Sequence, residues 1–598
     1  MIYAGFIRFN GEQLNVKKLT SILHSLIDQP IKLLEKEPLA LCYGGSQQEY
    51  DIDGIWENHT SIILGRIFDK THYSPVEKKG FKGLSHLSKE KVLENIWGKY
   101  VYLNANESSN CYEIVVDITG QLPFFYHRLP NGNIIFSSNI EIIARYLPQK
   151  IEYSWGYLCS YNIYGNSCSI LTPFQHIYEL PPGCTLKITK DDNIIAPFWN
   201  PLSPYKSTNL HKKNAAEILQ KTLKPWITPY KNICVSLSGG LDSSSLVYCL
   251  KDIIGKDQTL TALNYYHSQI QSSNELIHAR KVCQETNIKL IEMDASSSLP
   301  FDPPRNKQAL IPNKPYPGLV SLKWLETIRN QIPSDGSFTF VSGHGSDHIF
   351  MRPPSKKSFS DYLLENGLKG SNEKLKQITQ FYRESYFPIL KDNLSSIMLY
   401  FLRTYKRKRH PKSVNDERPD WFRKELIKNT SDNFAHPIYQ YLPGKTLPGK
   451  YNQIDLLYEG LASIHVELIN QVDPTYYPFL YEPVVEFALS YPTYDLFDNG
   501  YDRYPLRKAV SDYFKTDTVW RRDKSQTTGL FQLGIKQNLE YVLELCLEGH
   551  FVKNGFVDKE GLHKTVRLLA NGDIKYLWPF THIASTEIFL RHWNEKVL

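Results

Sequence analysis

The chain has 598 residues, 41% of them hydrophobic and 22% charged, with a formal net charge of +7. That is enough for two or three folded domains of ordinary soluble composition, and the charge is too mild to imply nucleic acid as a partner. Nine cysteines without C-x-x-C spacings give neither a zinc site nor a disulfide framework. No run approaches about 18 apolar residues and no basic region precedes an apolar core at the N-terminus, so a cytoplasmic chain with no membrane partner is expected.

The first part of the chain reads as sheet. Cys42 follows Leu39, Ala40 and Leu41 in what reads as a buried strand, which makes it a packing residue. Gly65 to Asp69, Trp97 to Tyr100, Asp117 to Tyr126 and Phe136 to Ile140 mark further segments. Apolar and polar residues alternate along the later ones as in adjacent strands, and Pro130-Asn131-Gly132-Asn133 is a hairpin turn signal.

Ile233, Val235 and Leu237 then alternate as a strand and stop at Ser238-Gly239-Gly240-Leu241-Asp242-Ser243-Ser244, after which Leu246, Val247 and Leu250 give a helix an apolar face. A strand, a double glycine and a helix start with hydroxyls form a phosphate-binding turn, because the free amides of the first helical turn and the helix dipole favour an anion. It is not the Walker pattern, since Asp242 stands where that pattern has its lysine. Leu260 to Tyr266 is the next strand, with Leu263 a further candidate nucleotide contact. Ser272-Ser273-Asn274-Glu275 reads as a capping box for a helix carrying Leu276, Ala279, Val282 and Cys283, and Lys289 to Met293 is a strand again. This alternation predicts a parallel sheet covered by helices, with the ligand at the carboxyl ends of the strands.

A second β-rich run, Phe338 to Val341, enters the turn Ser342-Gly343-His344-Gly345-Ser346-Asp347-His348. It supplies a second carboxylate, so Asp242 and Asp347 are the candidate ligands of a Mg²⁺ bridging nucleotide phosphates, with Ser342 and Gly343 beside the nucleotide. Segments near 301–317 and 406–420 read as long loops that could frame a substrate entrance. The basic cluster Lys406-Arg407-Lys408-Arg409-His410 with Lys412 reads as a solvated loop, with precursor or phosphate binding as the other reading. Tyr477 to Ala488, Asp502 to Arg507 and Trp520 to Gln526 complete the marked segments.

With these residues in view, the stretch from about 206 to 598 resembles the synthetase domain of the asparagine synthetase family. Ser238 to Ser243 is similar to the pyrophosphate loop of ATP pyrophosphatases, and Tyr477 to Ala488 and Trp520 to Gln526 are similar to two later family segments. Residues 1–205 resemble the class II amidotransferase domain that precedes it. The implied architecture is a parallel-sheet α/β synthetase domain of ATP pyrophosphatase type behind a β-rich (α+β) amidotransferase-like domain. The implied reaction is adenylation of a carboxylate by ATP, followed by displacement of AMP by an amine.

The amidotransferase resemblance implies a nucleophilic cysteine after Met1. The chain reads Met1-Ile2, with no Cys, Ser or Thr in its first ten residues, so this domain is expected to be silent toward glutamine. An amine already present in the substrate is then expected, as for β-lactam synthetases and lasso peptide cyclases. The turn Gly343 to Phe350, with His344 and His348, resembles the lasso cyclase version, as does Asp502 to Arg507. That resemblance implies a peptide whose N-terminal amine is joined to an internal Asp or Glu side chain, with a leader peptidase and a leader-recognition protein as partners. Lys524 aligns with the lysine that stabilises the condensation oxyanion in relatives. His344 is a candidate base or substrate-orienting group, since imidazole titrates near neutrality. Other ammonia-dependent asparagine or β-lactam-type amidoligases, and a nucleotide-binding scaffold without chemistry, remain alternatives on the sequence alone.

Overall fold

A computed structural model describes the chain except for residues 10–13, 28–30, 37–38, 45–53, 58–60, 77–88, 107–110, 207–208, 271–273, 304–311, 331–337, 403–417, 432, 465–474, 523–526 and 597–598. The alternating segments of the first part build two six-stranded sheets, and every strand pairing in them is antiparallel. One sheet holds Ile2–Ile7 at its interior beside Leu39–Gly44 and Ile134–Ser137; the other holds Ile96–Asn106 between Ser61–Asp69 and Cys111–Val116. Inward residues of both interdigitate, Tyr3, Leu41 and Phe136 from one against Leu64, Val101 and Ile114 from the other. The expected hairpin lies between Phe125–Arg128 and Ile134–Ser137, with Gly132 at φ +86°. Cys42 is fully buried in its strand and burial pushes its thiol up, as suits a packing residue.

The later part forms a five-stranded parallel sheet. Its strands are β1 (Asn232–Ser236), β2 (Thr259–Tyr266), β3 (Lys289–Asp294), β4 (Phe338–Val341) and β5 (Thr475–Tyr476), in spatial order β3-β2-β1-β4-β5. The order reverses direction between β1 and β4, and such switch points open a crevice at the strands' carboxyl ends. Both glycine turns leave from those two strands. Helices α1 (Ala215–Ile227), α2 (Leu241–Ile253), α3 (Leu276–Thr286), α4 (Pro448–Ile464) and α5 (Tyr504–Phe514) pack around the sheet. Leu276, Ala279, Val282 and Cys283 form the buried face of α3 as its spacing requires. At the start of α3, Asn274 Oδ1 accepts from the Leu276 amide at 3.1 Å; Ser272 and Ser273, the first two residues of the expected box, lie outside the described residues. So do about half of the first expected loop, most of the second and the whole basic cluster, and Leu322–Arg329, just beyond the first loop, is helical.

The two parts meet along a buried seam. Lys314 Nζ donates to Glu179 with both side chains nearly inaccessible, Lys70 pairs with Glu482, and Phe174 packs on Trp593 with ring centroids 4.4 Å apart. His436 crosses the seam as well, its Nε2 donating to the Pro182 carbonyl at 2.9 Å and its Nδ1 accepting from the Ile438 amide at 3.0 Å. Both nitrogens are therefore used by the neutral ring, and burial pushes the imidazole down to about 3. An unfolded histidine takes a proton near about 6.5, so stability present above that pH is lost on acidification toward the folded value, at ~1.4 kcal/mol per pH unit. His436→Gln should therefore flatten the fall in urea midpoint between about pH 7 and about pH 5; equal slopes in the two proteins would remove His436 as the cause.

Candidate active site

The first turn is built by close packing at the end of β1. The Leu237 amide donates to the Leu263 carbonyl at 2.8 Å and Asn264 Nδ2 donates to the Leu237 carbonyl at 2.7 Å, which knits β1 to β2 where the loop begins. Gly239 takes φ +73°, and a Cβ there would lie 2.6 Å from His278 on α3, so only glycine fits. Ser238 Oγ accepts from the Gly240 amide at 3.3 Å, and Ser243 Oγ accepts from the Ser238 amide at 3.2 Å. Gly240 caps α2 without a side-chain acceptor, leaving the first-turn amides of a 13-residue helix for an anion. Ser244 Oγ is buried with no hydrogen-bond partner among the described residues.

The second turn packs directly onto the first. A Cβ on Gly343 would meet the Ser243 amide nitrogen at 3.0 Å and Asp242 Cβ at 3.1 Å. The Ser342 amide donates to the Tyr476 carbonyl of β5 at 2.9 Å, and Gly345, at φ +104°, leaves room for Leu480. Asp347 lies in the first turn of the short helix Ser346–Ile349.

The two expected metal ligands converge, on a residue to which the sequence assigned no role. Arg503 Nη1 donates to both oxygens of Asp242, at 2.6 and 2.7 Å, and to Asp347 Oδ1. Arg503 adopts φ +51° ahead of α5 and is 2% exposed. Asp502 anchors it: Asp502 Oδ1 accepts from Arg503 Nε at 3.2 Å and from Arg507 Nη2 at 2.9 Å, and its Oδ2 lies 3.4 Å from Arg352 Nε. Burial pushes the Asp502 carboxyl up, but the Arg503, Arg507 and Arg352 guanidiniums overcome this and hold it below the usual carboxylate range. Asp242 and Arg503 are 261 positions apart, so no local pattern signals the pairing; the Asp502 to Arg507 segment was the only hint.

Two carboxylates from separate turns that already gather on one positive atom suit a divalent cation. Among the described residues no cluster of three or more His, Cys, Asp or Glu side chains forms a metal site, so an ion here would need nucleotide oxygens and water to complete its shell.

His344 sits on the same turn. Its Nε2 lies 3.2 Å from the Gly460 carbonyl of α4, which makes Nε2 the protonated nitrogen and Nδ1 the acceptor of the neutral ring. Its ring is 5.0 Å from that of His348 and 5.9 Å from that of Tyr477. Gly460 permits this approach, since a Cβ there would lie 2.9 Å from His348 Cγ. The position of α4 is set in turn by Asp361, whose carboxylate accepts from the Gly449 and Lys450 amides at 2.7 and 2.9 Å. Lys524 lies outside the described residues. The chain leading to it is tied to the cluster, because Arg507 Nη1 donates to the Val519 carbonyl and, at 3.0 Å, to that of Arg521.

Residues 215–354 and 474–593 match the family model for asparagine synthase, and residues 84–199 match that for a glutamine amidotransferase domain. The microcin J25-processing protein McjC of Escherichia coli is 22% identical over 304 residues, 50% of this chain and 49% of that protein. The chain thus spans about half the length of this curated relative. A solved glutamine phosphoribosylpyrophosphate amidotransferase from B. subtilis, complexed with ADP and GMP, aligns at 10% identity over 51% of this chain and 83% of its own, with a TM-score of 0.22 that is too low to bear on the fold. Among the described residues no helix is long and apolar enough to cross a membrane.

Proposed function

We propose that this chain, an asparagine synthetase-like protein with an amidotransferase-type first domain, is an ATP-dependent ligase that closes a lasso peptide. Residues 1–205 would be the silent amidotransferase-like domain and 206–598 the ligase. The observation that carries the reading is the meeting of two glycine turns that bring Asp242 and Asp347 onto the Arg503 guanidinium, with His344 on the second turn. The similarity to a protein named for processing microcin J25 supports a peptide substrate.

An Asp or Glu side chain of the peptide would attack the α-phosphorus of ATP, giving an acyl-adenylate and pyrophosphate. The turn around Ser238, Gly239, Gly240 and Ser243, with the first-turn amides of α2, would hold the phosphates. Leu237, Ser244, Leu263, Ser342 and Gly343 would complete the nucleotide site. Asp242 and Asp347, whose oxygens now accept from Arg503 Nη1, would hold Mg²⁺, and the bound ion would supply neutralisation of phosphate charge. The peptide's N-terminal amine would then attack the acyl carbon and expel AMP. His344 Nδ1 would take the amine's proton, and Lys524 would stabilise the oxyanion. A precursor peptide, a leader peptidase and a leader-recognition protein are the proposed partners, and the cytoplasm the proposed compartment.

Precursor-dependent release of AMP and pyrophosphate tests this reading against a scaffold. The matured core peptide should become lighter by one water at full rate with glutamine and ammonia removed, because its own amine is the nucleophile. A product that appears only when ammonium is added would replace the cyclase with an ammonia-using amidoligase, and release of ADP and phosphate would remove the pyrophosphate-loop assignment.

A further inference from the structure

Helix α1 ends between two prolines, Pro225 inside it and Pro229 just beyond. A helical carbonyl at 225 would take its hydrogen from the amide of residue 229, and proline has none. The Tyr230 amide turns instead to the Ile227 carbonyl at 3.0 Å, so the Trp226 carbonyl also lacks its helical donor. Both are satisfied from the first domain: Arg66 Nη2 donates to the Pro225 carbonyl and Nη1 donates to the Trp226 carbonyl at 3.2 Å. The same Nη1 donates to the Tyr476 hydroxyl at 3.2 Å, which lies 2.8 Å from the Tyr230 hydroxyl. The guanidinium carbon stands 4.9 Å from the Trp226 ring centroid and 5.3 Å from that of Phe68, and the residue is 4% exposed.

Burying a cation among neutral acceptors is costly, and here three hydrogen bonds and two aromatic faces offset that cost. What Arg66 grips are the supports of the two glycine turns. Pro225, Trp226 and Tyr230 lead into β1, which carries the Ser238 to Ser243 turn. Tyr476 is half of β5, its carbonyl takes the Ser342 amide at 2.9 Å, and the ring of the next residue, Tyr477, lies against His344. Arg66 belongs to the Ser61–Asp69 strand of the first domain, yet its guanidinium is buried against the other domain.

We infer that Arg66 is a positioning residue for the ligase site: the first domain holds the end of α1 and β5 through one guanidinium, and so fixes the turn that carries His344 and Asp347. The role needs the planar fork, because two nitrogens reach three acceptors that a lysine point charge cannot span together. Only the activity readout of the following test rests on the cyclase reading; the protection readout does not.

The full chain is compared as wild type, Arg66→Met, Arg66→Lys, Tyr476→Phe and the Arg66→Met/Tyr476→Phe double variant. In Arg66→Met, amide hydrogen exchange should rise at least about tenfold in 338–347 and 475–480 while Lys559–Ala570 keeps its protection. Peptide cyclisation should slow by up to about 10²-fold in kcat, with KM for ATP within about threefold, as expected for misplaced reacting groups. Arg66→Lys should recover only part of either effect. The double variant should be no slower than Arg66→Met by the factor that Tyr476→Phe costs alone, since the two side chains share one contact. Unchanged exchange at 338–347 and 475–480, a uniform loss of protection across the chain, or full recovery by lysine would each overturn the inference. If wild type itself cyclises no peptide, the cyclase reading fails while the exchange pattern still decides the role of Arg66.

Discussion

Asp242→Asn and Asp347→Asn should each abolish cleavage of ATP to AMP and pyrophosphate, a loss of about 10³-fold or more. The two carboxylates are the charges gathered at the meeting point of the glycine turns. If they hold the proposed Mg²⁺, removing either would cost several kcal/mol of transition-state stabilisation, and each ~1.4 kcal/mol is tenfold in rate. Asparagine keeps the shape and can still accept a hydrogen bond from Arg503, so the fold should survive; alanine would leave a buried guanidinium short of a partner and confuse the result. The measurement is precursor-dependent AMP formation at saturating and limiting Mg²⁺, beside a thermal melt of each variant. Wild-type rates at both Mg²⁺ levels in either variant would remove these carboxylates from the nucleotide site.

Lys524→Ala should separate activation from ring closure. If Lys524 stabilises the oxyanion formed when the amine attacks, its loss should leave adenylation largely intact and slow macrolactam formation by about 10² to 10³, the usual cost of one such donor. Acyl-AMP should then build up or hydrolyse. Single-turnover quenching with the matured core peptide follows both species, and His344→Gln should slow the same second step if Nδ1 takes the amine's proton. Equal loss of adenylate and product in Lys524→Ala would move the lysine to the first step. Normal cyclisation in both variants would leave the nucleotide site standing and remove the assignment of condensation.

The structure changes what the first domain means for the second. Its sheets make a sandwich with its own core, yet its buried Arg66 and half-buried Lys70 spend their hydrogen bonds on the synthase-type part. Whether or not it acts on glutamine, the first domain therefore supplies hydrogen bonds to the second part. Deleting it would leave the Pro225 and Trp226 carbonyls and the Glu482 carboxyl without these partners, which is the physical reason to test the chain whole.

What the sequence determined by itself was local. The strand, double glycine and helix of the first turn are legible because period-2 and helical patterns meet at residues with special backbone freedom, and β1 to β4 with α2 and α3 lie where those patterns put them. Their parallel order follows from alternation of strand and helix. The same local logic placed Asp242, His344 and Asp347 at strand ends, where a ligand belongs. Only the tertiary structure decided which charges meet. Arg503 reaches Asp242 across 261 positions, and Arg66 reaches Tyr476 across 410. Pairing at such separations depends on how helices and sheets pack, to which neighbouring residues contribute no periodic signal.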